Sequence, residues 1–144
     1  MKEEFQNQRI GSILISTGAW VRIFATQKFS EEQFGITPEQ FIVLALLVET
    51  GELYQRQISE LTLKDRPNVT RIINILEKHD LVKRVQDSNK RMIYKIVVTE
   101  KGQELYQNIY PVDNEIKKTV VEGVSDSDME VFLKVLGHIQ GNLK

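Results

Sequence analysis

Between Tyr54 and Val98 the hydrophobic pattern changes its period, and no other feature constrains the fold as tightly. Two short helical stretches come first. Tyr54–Thr62 is expected to turn Ile58 and Leu61 inward, and Leu63–Arg66 makes a tight connection. A helix then opens at Pro67–Asn68 and runs to about His79, with Val69, Ile72, Ile73 and Leu76 on one face. Asn68, Thr70, Arg71, Asn74 and Glu77 are left on another face. After Asp80 the chain becomes rich in β-branched residues, over Leu81–Val85 and Ile93–Val98, around a polar Gln86–Arg91 segment. Two short helices across a brief turn, followed by a β-hairpin with a basic tip, predict a helix-turn-helix with a wing.

Helices flank this module. Ile10–Phe34 carries Ile10, Ile13, Leu14, Val21, Phe24, Ala25 and Phe29 at roughly helical spacing, with Gly35 as its expected stop. Thr37, Pro38 and Gln40 form a helix start with a capping-box spacing. That helix continues through Phe41, Leu44, Ala45, Leu47 and Val48 to Gly51. Thr99 caps a further helix, which Pro111 is expected to kink or split, because proline removes an internal hydrogen bond. Ser125 or Asp126 caps a last helix bearing Met129, Phe132, Leu133, Leu136 and Ile139.

The expected fold class is mainly α with a small β-hairpin wing, in one domain of 144 residues. A winged helix-turn-helix lobe spans 37–99. The helices over 10–34 and 100–142 bear apolar faces that so small a lobe cannot cover. Packing against a second copy would cover them, so a homodimer is expected.

Several kinds of chemistry are excluded or lack a basis. The chain has no cysteine, which rules out disulfides, thiolate ligands and a thiol switch. No HExxH, P-loop or glycine-rich dinucleotide motif is present, and no motif joins His79 with His138. The expectation is a non-enzyme without cofactor or metal. No apolar run approaches the roughly 20 residues of a membrane span. The Met1–Arg9 stretch is polar, so a soluble cytoplasmic protein is expected.

The formal charge of −1 hides an asymmetry. From Tyr54 to Lys101 eleven basic residues face six acidic ones, a balance of +5, and the remainder carries −6. Phosphates respond to local potential, so the basic middle is the candidate contact surface for double-stranded DNA. A recognition helix presents polar and basic side chains to base edges while its far face is held in the core. Arg66, Asn68, Thr70, Arg71 and Asn74 meet that demand. At the hairpin tip Arg91 is suited to a minor groove and Lys90 to phosphate, with Asn89 beside them. Lys83 and Arg84 are further phosphate candidates, one of them with Asp80 or Asp87 as an alternative partner. Arg56 opens the preceding helix towards the backbone.

Laid out in this order, the chain resembles the MarR family of winged helix-turn-helix regulators. Ile36–Leu44 is similar to the opening of the family's second helix, and Ile58–Leu61 to its first helix-turn-helix helix. Asp65–Lys78 is similar to its recognition helix. Leu81–Arg84 and Val98–Gly102 bracket the wing in the family manner. The resemblance implies a homodimer joined through the terminal helices, binding a pseudo-palindromic site, usually as a repressor. It also implies a small aromatic effector held between the dimerising and DNA-binding parts, where Trp20, Phe24, Phe41, Tyr54 and Tyr94 are candidate pocket residues. It places recognition contacts on Asn68, Thr70, Arg71 and Asn74, and the wing arginine at Arg91. Two departures stand out. The family's Asp-x-Arg wing is replaced by Asn89–Lys90–Arg91, and the step from Arg91 to Thr99 is one residue longer. A rival reading, a winged-helix module that binds protein without specific DNA binding, draws on the net negative charge and the altered wing.

Overall fold

The computed structural model describes residues 9–62, 64–87 and 93–144. The elements run α1 (Ile10–Glu31), α2 (Pro38–Thr50), β1 (Leu53–Tyr54), α3 (Gln55–Thr62) and α4 (Arg66–Lys78). They continue with β2 (Val82–Gln86), β3 (Tyr94–Val98), α5 (Glu100–Val120) and α6 (Asp126–Asn142). The strands form one antiparallel sheet in the order β1-β3-β2. Val82 lies opposite Val98 and Arg84 opposite Ile96, while Leu53 pairs with Ile96 from the other side.

The core lies where α2, α3, α4 and the sheet meet. Val43, Leu44, Leu47, Ile58, Val69, Ile72, Ile73, Leu76, Val82 and Ile96 are almost wholly buried there. The α1 helix adds only its C-terminal end, Ala25 and Phe29, and α5 adds Ile109 and Ile116. Ile10, Ile13, Trp20 and Val21 of α1 are exposed. In α6 no residue is buried, although it carries Val131, Phe132, Leu133 and Val135.

Caps fix most helix starts. Thr37 accepts from the Gln40 amide at 3.2 Å while Gln40 Oε1 accepts from the Thr37 amide at 3.0 Å, completing the capping box. Asp65 caps α4 by accepting from the Asn68 amide at 2.8 Å. Thr99 caps α5 and Ser125 caps α6.

Three boundaries differ from the sequence reading. The first helix stops at Glu31 rather than Phe34, because Gln33 takes a left-handed φ of 56°. The Phe34 amide then returns to the Phe29 carbonyl and the Gln33 amide to that of Ser30, with the rings of Phe29 and Phe34 edge to face. Secondly, Tyr54 is not helical. Leu53 and Tyr54 form a short strand on β3, and the side chain of Gln57 accepts from the Tyr54 amide at 2.9 Å. Thirdly, α5 is not split at Pro111. Both Pro111 and Gln107, whose carbonyl the proline leaves without an amide, are on the exposed side of the helix, so the missing bond falls away from the core.

One glycine is required by close approach. A Cβ on Gly102 would meet the Leu81 carbonyl oxygen at 2.2 Å and Val98 Cγ1 at 2.7 Å. Both belong to the seam where the Thr99 amide donates to the Leu81 carbonyl. Gly102→Ala is therefore expected to destabilise the chain by about 1–3 kcal/mol, as forced overpacking does. Urea denaturation would measure this, and an unchanged midpoint would disprove the close approach.

Candidate nucleic-acid interface

The α4 helix has two unlike faces. Val69, Ile72, Ile73 and Leu76 are buried. Arg66, Arg71 and Asn74 are exposed, and Asn68 and Thr70 are half-buried beside them. All but Asn68 border an open groove along α4 that also includes Pro67, Ile75 and Lys78. Arg71 Nη2 donates to Asn68 Oδ1 at 2.7 Å. Arg66 has no side-chain partner among the described residues.

Thr70 has a different setting. Its hydroxyl donates to the Arg66 carbonyl and accepts from Gln55 Nε2, so it joins the start of α3 to α4. Arg84 on β2 is half-buried and reaches back across α4. Its guanidinium donates to Glu77 Oε1 and, at 2.7 Å, to Asn74 Oδ1. The sequence offered Asp80 or Asp87 as a partner for one of Lys83 and Arg84; Arg84 meets Glu77 instead, because α4 packs against β2 and brings its third turn under the strand. Lys83, next along β2, points outward and has no ion pair among the described residues. Arg56 is exposed and lies 3.8 Å from Glu60, a solvent-screened pair of small energetic weight.

The root of the wing is tied to β1. The Tyr54 hydroxyl donates to Asp87 Oδ2. Lys95 donates to Glu52 Oε1 at 3.0 Å, and its ammonium stands 5.6 Å from the centre of the Tyr54 ring. The hydrogen bond to the Asp87 carboxylate, burial and neighbouring negative charge hold the Tyr54 phenol above its ordinary pKa. Lys95 is likewise raised, first by its hydrogen bond to Glu52. Asn89, Lys90 and Arg91 lie outside the described residues. A cleft of about 430 Å³ opens between the wing and the helix starts, lined by Arg56, Arg66, Arg84, Tyr54 and Tyr94 among others.

A sequence profile of the MarR family matches residues 34–91. The uncharacterized HTH-type transcriptional regulator YkoM of Bacillus subtilis is 31% identical over 73% of this chain and 68% of its own length. The chain belongs to the MarR family. Solved MarR-like structures share the fold across nearly the whole chain. The Staphylococcus aureus MepR–DNA complex has a TM-score of 0.84 and 24% identity, over 92% of this chain and 97% of that one. BpsR of Bordetella bronchiseptica, whose DNA binding is regulated by 6-hydroxynicotinic acid, has a TM-score of 0.83 and 19% identity, over 92% and 98%.

Within this MarR-family chain the five aromatic pocket candidates do not converge. Trp20 is 71% exposed in α1. Phe24 packs partly on the core, and Phe41 is buried against the rings of Phe29 and Tyr106. Tyr54 and Tyr94 belong to the cleft at the wing. A separate cavity of about 750 Å³ lies between α1, α2, the end of α3 and α5, and of the five only Phe41 lines it. Its apolar wall includes Val21, Ala25, Ile42, Leu46 and Ile116. Most of its charges are paired: Glu39 lies 3.7 Å from Arg22 and 3.6 Å from Lys64, and Lys117 pairs with Asp113 at 2.9 Å, while Glu49 accepts from the Tyr106 hydroxyl at 3.4 Å. This cavity joins residues far apart in sequence, and no local motif marks it.

The Tyr54–Asp87 bond has a defined pH signature. A raised phenol means the folded chain holds that proton more tightly than the unfolded one. Its contribution is complete below the ordinary value of 10.0 and is lost as pH rises through the raised value. Tyr54→Phe is expected to remove one late step from an ultraviolet phenolate titration, while Tyr106, raised mainly by burial, continues to titrate late. Loss of a step at the ordinary value of 10.0, with every late step kept, would rule out the bond.

Proposed function

We propose that this chain is a sequence-specific DNA-binding regulator of transcription that acts as a homodimer on a pseudo-palindromic operator, as a repressor. The observation that carries the reading is α4 itself. Its outward Arg66, Asn68, Arg71 and Asn74 stand on a helix whose opposite face is locked in the core. They lie within the segment of the chain that carries +5. In this reading 37–99 is the DNA-binding lobe, while Arg56, Lys83 and the wing residues Lys90 and Arg91 meet phosphate and minor groove. Thr70 and Arg84 act mainly by holding α4 in place.

The terminal helices, 10–34 and 100–142, are the dimerising parts. The support is α6, which buries nothing within its own chain yet exposes Phe132 and Leu133, together with the first half of α1, where no residue is buried either. A second copy covering these faces would place two recognition helices about one DNA turn apart, roughly 34 Å. The cavity of about 750 Å³ between the lobe and the terminal helices has the size and apolar lining to take a small aromatic effector.

Selection of bound sequences from random duplex DNA tests the function. The wild-type chain is expected to enrich an inverted repeat. Arg71→Ala is expected to cost about 1–3 kcal/mol of operator affinity, with relaxed preference at one position per half-site. Enrichment that is weak and indifferent to Arg71 would turn the reading towards a protein-binding winged helix. For the assembly, sedimentation should give twice the chain mass. Phe132→Glu together with Leu133→Glu is expected to yield folded monomers with weakened operator binding. A wild-type monomer at working concentration would refute the dimer.

A further inference from the structure

Resting on the DNA-binding reading above, we infer that Arg84 sets what Asn74 reads. It turns the carboxamide so that only the Nδ2 donor faces the DNA, and the base met there in each half-site is guanine rather than adenine. The contact that fixes this is Arg84 Nη2 to Asn74 Oδ1 at 2.7 Å. A guanidinium has donors and no acceptor, so the atom Asn74 offers it must be its oxygen. The orientation of the amide therefore follows from chemistry.

Arg84 is not free to let go. Its other terminal nitrogen is held by Glu77, one turn along the same helix, and its side chain is only 24% exposed. Arg84 also lies within the paired part of β2, opposite Ile96. Asparagine reads adenine by using both ends of its amide, accepting from N6 and donating to N7. An amide oxygen can accept twice, but with Oδ1 turned towards Arg84 rather than the DNA, adenine keeps one bond. Guanine offers two neighbouring acceptors, N7 and O6, to a donor-only group. The same polarity recurs at the start of α4, where Arg71 occupies Asn68 Oδ1 at 2.7 Å. No carboxylate holds Arg71 among the described residues as Glu77 holds Arg84, so Asn74 is the position at which the inference is decided.

Arg84 thus acts as a positioning residue, which a simple phosphate contact would not be. Loss of a phosphate contact weakens binding evenly across sequences and lowers the salt slope by about one. Loss of a positioning residue changes the base preferred at one place. The experiment is selection of bound duplexes with the wild-type chain, Arg84→Met and Asn74→Asp. The wild type should favour guanine over adenine at one position per half-site. Arg84→Met frees the amide oxygen and should move that position towards adenine on the order of tenfold, leaving other positions as they were. Asn74→Asp keeps the Arg84 pair but turns an acceptor outward, and should move the position towards cytosine, whose N4 donates. Should Arg84→Met fold poorly, Asn74→Asp carries the test alone. Unchanged base preference in both variants, or an adenine preference in the wild type, overturns the inference while leaving the regulator intact. A wild-type chain that enriches no sequence removes the proposed function and this inference together.

Discussion

The inner face of α4 is the constraint on which the interface depends. Val69, Ile72, Ile73 and Leu76 are each buried to 1% exposure or less. Burying such a side chain is worth about 1.5–3 kcal/mol, so rotating the helix about its axis to face another way is prohibitive. With the inner face fixed, a helix places Asn68, Arg71 and Asn74 in line, each three residues from the next. The two ends are then fastened separately. Gln55 holds Thr70 near the start, and Arg84 holds Asn74 and Glu77 further along. The presentation of the outer face is thus set in part by contacts to neighbouring elements.

The architecture was legible where periodicity and caps spoke together. The Thr37–Gln40 box, the change of period after Asp80, and Thr99 before the fifth helix all mark real boundaries. Helix stops were harder to read. Both Gln33 and Asp80 adopt left-handed backbone, where glycine or asparagine is the usual signal. Each stop is instead secured by a backbone bond back into the helix, Phe34 to Phe29 and Leu81 to Leu76, the first with its two rings edge to face. A two-residue strand such as Leu53–Tyr54 carries no pattern of its own, since it exists only through pairing with β3.

Candidate site residues divide in the same way. The exposed face of α4 follows from helical spacing, so its members could be named in advance. The roles of Thr70 and Arg84 depend on partners 15 and 7 residues distant, which spacing does not reveal. The aromatic residues show the opposite failure. Phe34, Phe29, Phe41, Tyr106 and Tyr110 contact one another in series, forming a spine from the end of α1 to the middle of α5. Aromatic character drew attention to a pocket, whereas most of these rings serve as the joint between the lobe and α5. The cavity beside that joint is walled largely by aliphatic side chains from four helices.

The bare α6 has a thermodynamic consequence. A helix of 17 residues with no buried side chain is marginal in water when it stands alone. If its order comes from a second copy, folding of this segment and association are a single linked equilibrium. Helical content would then rise with protein concentration, and the cellular abundance of the chain would itself set how much of it is in a form that spans two half-sites.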